Sequence, residues 1–157
     1  MKGINNILLA SHGTIGARAA EEAVLNICTI NTNVKHLYII PDFWKHMLGD
    51  DWLNNQITRE RFCHYLESEL DREAQETIIR MRDQLKNLGI NSNHQILFGD
   101  PQKCLVNICV KEDFDLVVTG SPRPKSFLGL HSRMATNYLS KNISTSHMQL
   151  PHPLACN

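Results

Sequence analysis

The sequence predicts an α/β fold in which a mostly parallel sheet is covered by helices on both faces. Short apolar runs alternate with longer stretches in which apolar residues recur every three or four positions. Two of the short runs, residues 4–10 and 116–119, are largely apolar, as is typical of parallel strands buried on both faces. Strands and helices alternate along the whole chain, so parallel strands joined by right-handed crossovers are expected.

Length and composition bound the class of protein. With 157 residues, 42% of them apolar, the chain can bury one core and is too apolar to be disordered. We therefore predict a single domain over residues 1–157. No apolar run approaches the ~20 residues of a membrane-spanning helix, and the first residues lack the apolar centre of a signal peptide. These features predict a cytoplasmic protein without membrane contact.

The cysteines give no sign of a disulfide framework or a metal site. Their number is odd, five, and none are spaced as Cys-x-x-Cys, which fits a reducing cytoplasm. Cys63-His64 and the set His147, His152 and Cys156 match no zinc-binding pattern. No metal is therefore expected.

Periodicity and turn residues place the individual elements. From Phe62 to Leu88 apolar residues recur at steps of three and four, which predicts one long amphipathic helix over residues 58–88 that ends at Gly89. Pro41 ends the second strand, because proline lacks the N–H that a strand ladder needs. The other expected elements are strands at residues 4–10, 34–40, 93–98, 116–119 and 148–150, and helices at residues 16–27, 102–111 and 132–141.

A segment rich in aromatic residues lies between the second strand and the long helix. This Trp-rich flap, residues 42–57, holds both tryptophans of the chain, Trp44 and Trp52. We expect a loop with a helical turn folded over the carboxyl edge of the sheet. Such a cluster either seals the core or stacks on a ligand's base. Residues 151–157 are expected to form a loose tail.

The distribution of charge draws attention to the region after the fourth strand. Asp115 is the last acidic residue of the chain, and the strand that follows leads through Gly120 to the basic Arg123, Lys125 and Arg133. Ligands of parallel sheets lie beyond the carboxyl ends of the strands, where backbone N–H groups are free. This placement predicts an anion site, the alternative being solvated surface charge. The excess charge is too small for a nucleic-acid groove.

Four segments of the chain also stand in a specific order. Residues 7–14, Ile-Leu-Leu-Ala-Ser-His-Gly-Thr, form an apolar run with a polar end, and Gly-Asp-Pro at 99–101 precedes a short helix. Residues 115–121, Asp-Leu-Val-Val-Thr-Gly-Ser, precede the basic loop, and Tyr138 lies in the last helix. In order and spacing, over essentially the whole chain, these segments resemble the universal stress protein family.

The resemblance implies a doubly wound five-stranded sheet in the order 3-2-1-4-5, a homodimer, and a nucleotide pocket between strands 1 and 4. ATP-binding members carry Gly-x2-Gly-x9-Gly followed by Ser or Thr, with an aspartate after strand 1. Here Gly120 is kept, whereas Arg123, Arg133 and Met134 occupy the later motif positions and His12 that of the aspartate. With arginine in place of glycine, the backbone cannot come as close to a phosphate. The arginines instead supply guanidinium groups, which bind oxyanions through paired N–H donors.

These considerations define a set of predicted ligand contacts. They are Ser11, His12 and Gly13 after the first strand, Ile40 at the end of the second, and Thr119, Gly120, Arg123 and Arg133 after the fourth. Ile40 and Thr119 would frame a base, Gly120 would offer its N–H, and the arginines would hold phosphate. The expected ligand is ATP, AMP or another phosphate-bearing molecule, bound by a stress-response regulator, and no catalytic residue is predicted.

Two other functions remain open. The first is a ligand-free dimeric interaction module, in which side chains close the pocket and the Trp-rich flap carries recognition. The second is a weak nucleotide or phosphate-ester hydrolase that uses His12. The sequence does not fix how the two copies of the homodimer pair, since residues 144–149 are unusually polar for a strand that pairs with a second copy.

Overall fold

The structure is a computed structural model that describes residues 3–11, 15–40, 56–120, 139 and 141–150, with backbone alone at 15, 16, 56–64, 66, 67 and 70. The predicted alternation of strands and helices is confirmed. The elements are β1 (Asn6–Ser11), α1 (Ile15–Ile27), β2 (Asn33–Ile40), α2 (Gln56–Asn87), β3 (Asn91–Phe98), α3 (Pro101–Lys111), β4 (Leu116–Gly120) and β5 (Ser146–Leu150).

Some predicted segments fall partly or wholly outside the described residues. Of the Trp-rich flap only residues 56–57 are described, and they begin α2, while the tail at 151–157 lies outside. Of the last predicted helix, Leu139 and Lys141 are described and both are helical.

The five strands form one sheet in the order β3-β2-β1-β4-β5, and every neighbouring pair is parallel. The fold class and the strand order implied by the resemblance are therefore confirmed. Asp115 ties the amino ends of the two central strands together, because its carboxylate accepts the backbone N–H groups of Asn5 and Asn6, each at 2.9 Å.

Helices cover the two faces of the sheet separately. We call the face under α1 and α2 the front face and the face under α3 and Leu139 the back face. Alternate residues of each strand point to opposite faces, so Ile7 and Leu9 pack under α1 and α2 whereas Leu8 and Ala10 pack under α3 and Leu139. Burial of each large aliphatic side chain contributes roughly 1.5–3 kcal/mol to folding.

The long helix α2 ends at Gly89, as its position predicts. Gly89 has φ +72°, its N–H bonds to the carbonyl of Lys86, and the next N–H, of Ile90, bonds to the carbonyl of Leu85. This pair of bonds is the Schellman motif, which favours glycine at the left-handed position. Leu88, expected on the inner stripe of the helix, is exposed, because it lies in this turn after the last helical residue.

The shorter helix α3 begins where Gly-Asp-Pro indicates. Asp100 caps it by accepting the N–H of Gln102 at 3.1 Å, and Pro101 occupies the first turn, where its missing N–H costs nothing. In the described part of the chain no helix combines the length and the apolar character required to cross a bilayer.

Candidate functional site

The carboxyl ends of β1 and β4 lie side by side at one edge of the sheet. Ala10 pairs with Thr119, so the next residues, Ser11 and Gly120, close the two strands at the same level. After β1 the chain continues into α1 on the front face, whereas after β4 it reaches Leu139, which packs on the back face. Diverging connections open a crevice at such a switch point, and this is where α/β proteins commonly bind ligands.

The predicted ligand contacts divide into two groups. Ser11, Ile40, Thr119 and Gly120 are described, and all four are buried at the carboxyl ends of β1, β2 and β4. The structure thus brings Ser11 and Gly120 together, with Ile40 one strand away. His12, Gly13, Arg123 and Arg133 lie outside the described residues, and their part in the site stays a prediction.

The side chain of Ser11 turns inward, away from solvent, and takes part in a polar chain on the front face. Its Oγ lies 3.2 Å from Oε1 of Glu21 in α1 and 2.9 Å from Nε2 of His36 in β2. The opposite oxygen of Glu21 accepts a hydrogen bond from Arg80 of α2 at 2.5 Å. Ser11 and His36 are 0% exposed and Glu21 is 4% exposed, so these contacts substitute for water.

The polar chain continues across the sheet to β3. Nδ1 of His36 lies 3.2 Å from Nδ1 of His94, its register partner, and Nε2 of His94 lies 3.0 Å from Oγ of Ser92. We call the whole set the buried relay. Its members are Arg80, Glu21, Ser11, His36, His94 and Ser92.

Burial dominates the ionisation of the relay. Desolvation raises the pKa of Glu21, and the opposing attraction of Arg80 and the hydrogen bond from Ser11 offset only part of that rise. Desolvation, with repulsion from His94 and Arg80, lowers the pKa of His36 to about 3. The pKa of His94 is also lowered, mainly by burial. Both imidazoles are therefore neutral at pH 7, when each has one donating and one accepting nitrogen.

Thr119, the neighbour of Gly120, makes a separate polar contact on the back face. Its Oγ1 lies 2.7 Å from Nε2 of His147 in β5, and burial lowers the pKa of that histidine. The contact fixes the hydroxyl of Thr119 at the end of β4. Near its carboxyl end each of the two strands thus carries a hydroxyl held by a histidine, Ser11 of β1 by His36 and Thr119 of β4 by His147.

Ile40 ends β2 with its side chain in the core. It packs with Tyr38, Ala74 and Ile78 on the front face, and its carbonyl accepts the N–H of Gly99 at 3.0 Å. Gly99 has φ +138°, a backbone conformation that residues with a side chain rarely adopt. The ends of β2 and β3 are therefore joined at the same edge of the sheet as the crevice.

The chemistry of this arrangement is that of a rigid binding edge. In a hydrolytic triad the histidine lies between the serine and the carboxylate, whereas in the relay Ser11 lies between Glu21 and His36 and is closed to solvent. Over the part of the chain that the structure describes, no group of three or more His, Cys, Asp or Glu side chains could hold a metal ion.

The relay was not predicted from the sequence. One signal for it exists: His36 interrupts an apolar strand at the alternate positions Val34, His36, Tyr38 and Ile40, which share a face. A histidine there must find a buried partner. Its partners, however, come from distant parts of the chain, Ser11 from β1 and His94 from β3.

The opposite, amino edge of the sheet carries a shallow crevice of about 360 Å³. Its walls include the amides of Asn6, Asn33 and Asn91, and the ion pair of Lys35 with Glu112. Asn33 also donates to Asn6 at 3.4 Å. The Asn33–Asn6 hydrogen bond and the Lys35–Glu112 ion pair thus engage part of the polar wall of this crevice.

The fold is similar to that of solved structures, although the sequence matches no known family model. No protein-family model matches the sequence, and neither does any curated protein. Among solved structures, a hypothetical protein whose biochemical function was assigned from its structure has a TM-score of 0.72 at 22% identity, over 94% of this chain and 96% of its own.

Two further solved structures are named as universal stress proteins. One is a universal stress protein in complex with cAMP, with a TM-score of 0.61 at 13% identity over 96% of this chain and 99% of its own. The other is a universal stress protein family protein from Arabidopsis thaliana with AMP bound, with a TM-score of 0.64 at 13% identity over 96% and 94%. The chain therefore has the fold of the universal stress proteins, and the resemblance seen in its sequence is confirmed over nearly its whole length.

Proposed function

We propose that this protein binds a small phosphate-bearing ligand, of the class of AMP or ATP, in the crevice between the ends of β1 and β4. It would act as a cytoplasmic regulator of the universal stress protein type, by binding without turnover. The observation that carries the proposal is the divergence of the chain after these strands, to α1 on the front face and to Leu139 on the back face.

The nucleotide class is supported by the similar structures. One of them is in complex with cAMP and another has AMP bound. A phosphate at this edge would meet the N–H that ends β4 at Gly120, and the segment that follows brings positive charge without any carboxylate. Arg123 and Arg133 would take the place of the glycines in holding the phosphate, through paired guanidinium N–H donors.

Ligand binding is tested by isothermal titration calorimetry with AMP, ATP and cAMP. Mass spectrometry of the denatured protein tests whether it carries a bound nucleotide. Saturable binding that weakens with added salt is expected, because a guanidinium–phosphate contact near the surface is screened. The variant Arg123→Ala with Arg133→Ala should lose at least about tenfold in affinity, since hydrogen bonds to charged groups contribute roughly 1.5–3 kcal/mol each.

A matched control is available on the long helix. Arg72 and Arg82 are exposed on α2, and their replacement by alanine removes the same charge from the protein without touching the carboxyl edge. Unchanged affinity in the Arg123 and Arg133 variant, or an equal loss in the control, would contradict the proposed phosphate contacts. Absence of binding to all three nucleotides would favour the ligand-free interaction module.

We propose that the protein is a homodimer. β5 is an outer strand of the sheet over the described residues, and pairing of an outer strand with a second copy is a common way to cover a sheet edge. Sedimentation at micromolar concentration should give twice the mass of one chain. A single-chain mass under those conditions would remove the dimer from the proposal while leaving ligand binding to be judged by titration.

A further inference from the structure

The direction of every hydrogen bond in the buried relay follows from its charged end. Arg80 can only donate and an ionised Glu21 can only accept, so the hydroxyl of Ser11 must donate to Glu21. A hydroxyl has one proton, which leaves the oxygen of Ser11 to accept from Nε2–H of His36.

The same reasoning continues through the second histidine. Neutral His36 with its proton on Nε2 has a bare Nδ1, which must accept from Nδ1–H of His94. His94 then has a bare Nε2, which accepts from the hydroxyl of Ser92. The two histidines are therefore in opposite tautomers, Nε2–H for His36 and Nδ1–H for His94.

The hydrogen bond between Ser11 and Glu21 joins the end of β1 to α1. Ser11 is the last residue of β1, and Glu21 lies ten residues later on α1. Between them stand residues 12–14, which include the predicted ligand contacts His12 and Gly13. This buried contact fixes the end of β1 against α1, and a preorganised wall of the crevice lowers the entropy that is lost when a ligand binds.

We propose that Glu21 is a positioning residue for the ligand crevice: held by Arg80, it fixes Ser11 at the end of β1 and sets the direction of the relay across three strands. The part that concerns ligand affinity rests on the proposed function. The part that concerns the relay stands on the described contacts alone.

The substitution Glu21→Gln should reverse the hydrogen bonds of the relay from Ser11 to Ser92. Arg80 requires an acceptor, so the side-chain oxygen of Glu21→Gln would face Arg80 and its NH₂ would face Ser11. The NH₂ can only donate, so Ser11 would now donate to Nε2 of His36. Nδ1–H of His36 would then donate to His94, whose Nε2–H would face Ser92. One substitution should thus exchange both tautomers while the tether across residues 12–14 remains.

The first measurement is the ¹⁵N–¹H long-range correlation spectrum of the histidine rings at pH 7. In the unmodified protein His36 should show the Nε2–H pattern and His94 the Nδ1–H pattern, and both should exchange in Glu21→Gln. The relay is overturned if His36 and His94 have the same tautomer in the unmodified protein, or if their tautomers do not change in Glu21→Gln. The exposed neighbour on the same helix provides the control, because Glu22→Gln should leave both rings as they are.

The second measurement is the affinity for AMP. Glu21→Ala removes the tether and should weaken binding about tenfold, Glu21→Gln should recover most of that loss, and Glu22→Ala should have no effect. If Glu21→Ala does not fold, Ser11→Ala removes the same tether from its other end and should weaken binding similarly.

Affinity that survives loss of the tether overturns the positioning role and leaves the proposed function intact. Failure of the unmodified protein to bind any of the three nucleotides overturns the proposed function together with that role, whereas the ring spectra alone judge the relay.

Discussion

The two faces of the sheet bury different kinds of side chain. The back face is filled with aliphatic side chains such as Leu8, Leu37 and Leu105, and Thr119 is its one buried polar residue among those described. The front face encloses Ser11 and His36 in equally complete burial. The same strands supply both faces, so the difference comes from which residues stand at alternate positions.

The buried polar groups give the front face a different role from the back face. An apolar interior is stabilised by contact area and tolerates rearrangement, whereas a buried polar group has few allowed geometries because each donor needs an acceptor. The front face is therefore the one that can hold the end of β1 in a single position. That end is one wall of the proposed ligand crevice, and Ser11 is where the polar chain reaches it.

The largest effect is expected on the back face. Leu37→Ala removes a fully buried side chain from the cluster under α3 and should lower the free energy of unfolding by about 2–5 kcal/mol, since lost burial adds to the cost of the cavity. Chemical denaturation measures it, with Val110→Ala as control, because Val110 is 78% exposed on α3. A loss below about 1 kcal/mol would mean that the back face is not closely packed.

The two faces also differ in how far they could be predicted from the sequence. Periodicity and alternation predicted the strands, the helices and the apolar clusters, because these depend on spacing along the chain. The buried relay depends on pairs far apart, such as Arg80 with Glu21, fifty-nine residues away, and His94 with His36, fifty-eight away. Strand alternation tells which residues share a face, but not which helical side chain lies above them.

The same limit applies to the candidate site. The order of motifs predicted that Ser11 and Gly120 close neighbouring strands, and the structure brings them together. It could not predict that the hydroxyl of Ser11 points into the core, because this depends on Glu21 and His36 being within reach. The unusual sequence feature was a histidine in the middle of an apolar strand.

The second effect is a pH dependence that separates the faces. The pKa of His36 falls from 6.5 to about 3 on folding, so between these values the unfolded chain binds the proton more tightly and stability decreases as pH falls. Between pH 6.5 and 4 this one residue should remove about 3 kcal/mol. His36→Gln can still donate to Ser11 and accept from His94 but cannot titrate, so its stability should fall less over this range.

The control for this titration is the histidine of the back face. His147 is half-buried and its pKa is lowered by burial, so His147→Gln should flatten the acid limb by a smaller amount. Stability is measured by denaturation at half-unit steps from pH 4 to 8. Parallel curves for His36→Gln and the unmodified protein would show that His36 does not stay neutral inside the fold.

The third effect concerns the charged end of the relay. Arg80→Met leaves the carboxylate of Glu21 buried without its cation and should cost about 2 kcal/mol at pH 7, less than for a fully buried pair because Arg80 is 37% exposed. Burial already raises the pKa of Glu21, and the variant raises it further. Folding with a raised carboxyl pKa is favoured below 4.5 and loses that advantage as pH rises through the folded pKa.

The deficit of Arg80→Met should therefore be largest near neutrality and shrink as the pH falls and Glu21 takes up a proton. Arg72→Met is the control: among the described residues Arg72 bonds to Glu69 and Glu76 on the surface of the same helix, so its loss should change stability by less than about 0.5 kcal/mol. A deficit that is independent of pH would mean that Arg80 contributes through packing of its stem and not through the charge of Glu21.

The smallest effect is expected at the hydroxyls of Thr119 and Ser11, which lie near the carboxyl ends of β4 and β1. Thr119→Val keeps the shape of the side chain and breaks one bond to His147, a half-buried ring that water can reach, so about 0.5–1 kcal/mol is expected. Ser11→Ala removes the partner of Glu21 and of His36 at once, where no water replaces it, and should cost at least twice as much. Denaturation of the two variants and of their combination measures both costs and their coupling. The hydroxyls lie on opposite faces and share no partner among the described residues, so the two costs should add. A coupling beyond about 0.5 kcal/mol would show that β1 and β4 end in one connected unit rather than in two walls of a crevice.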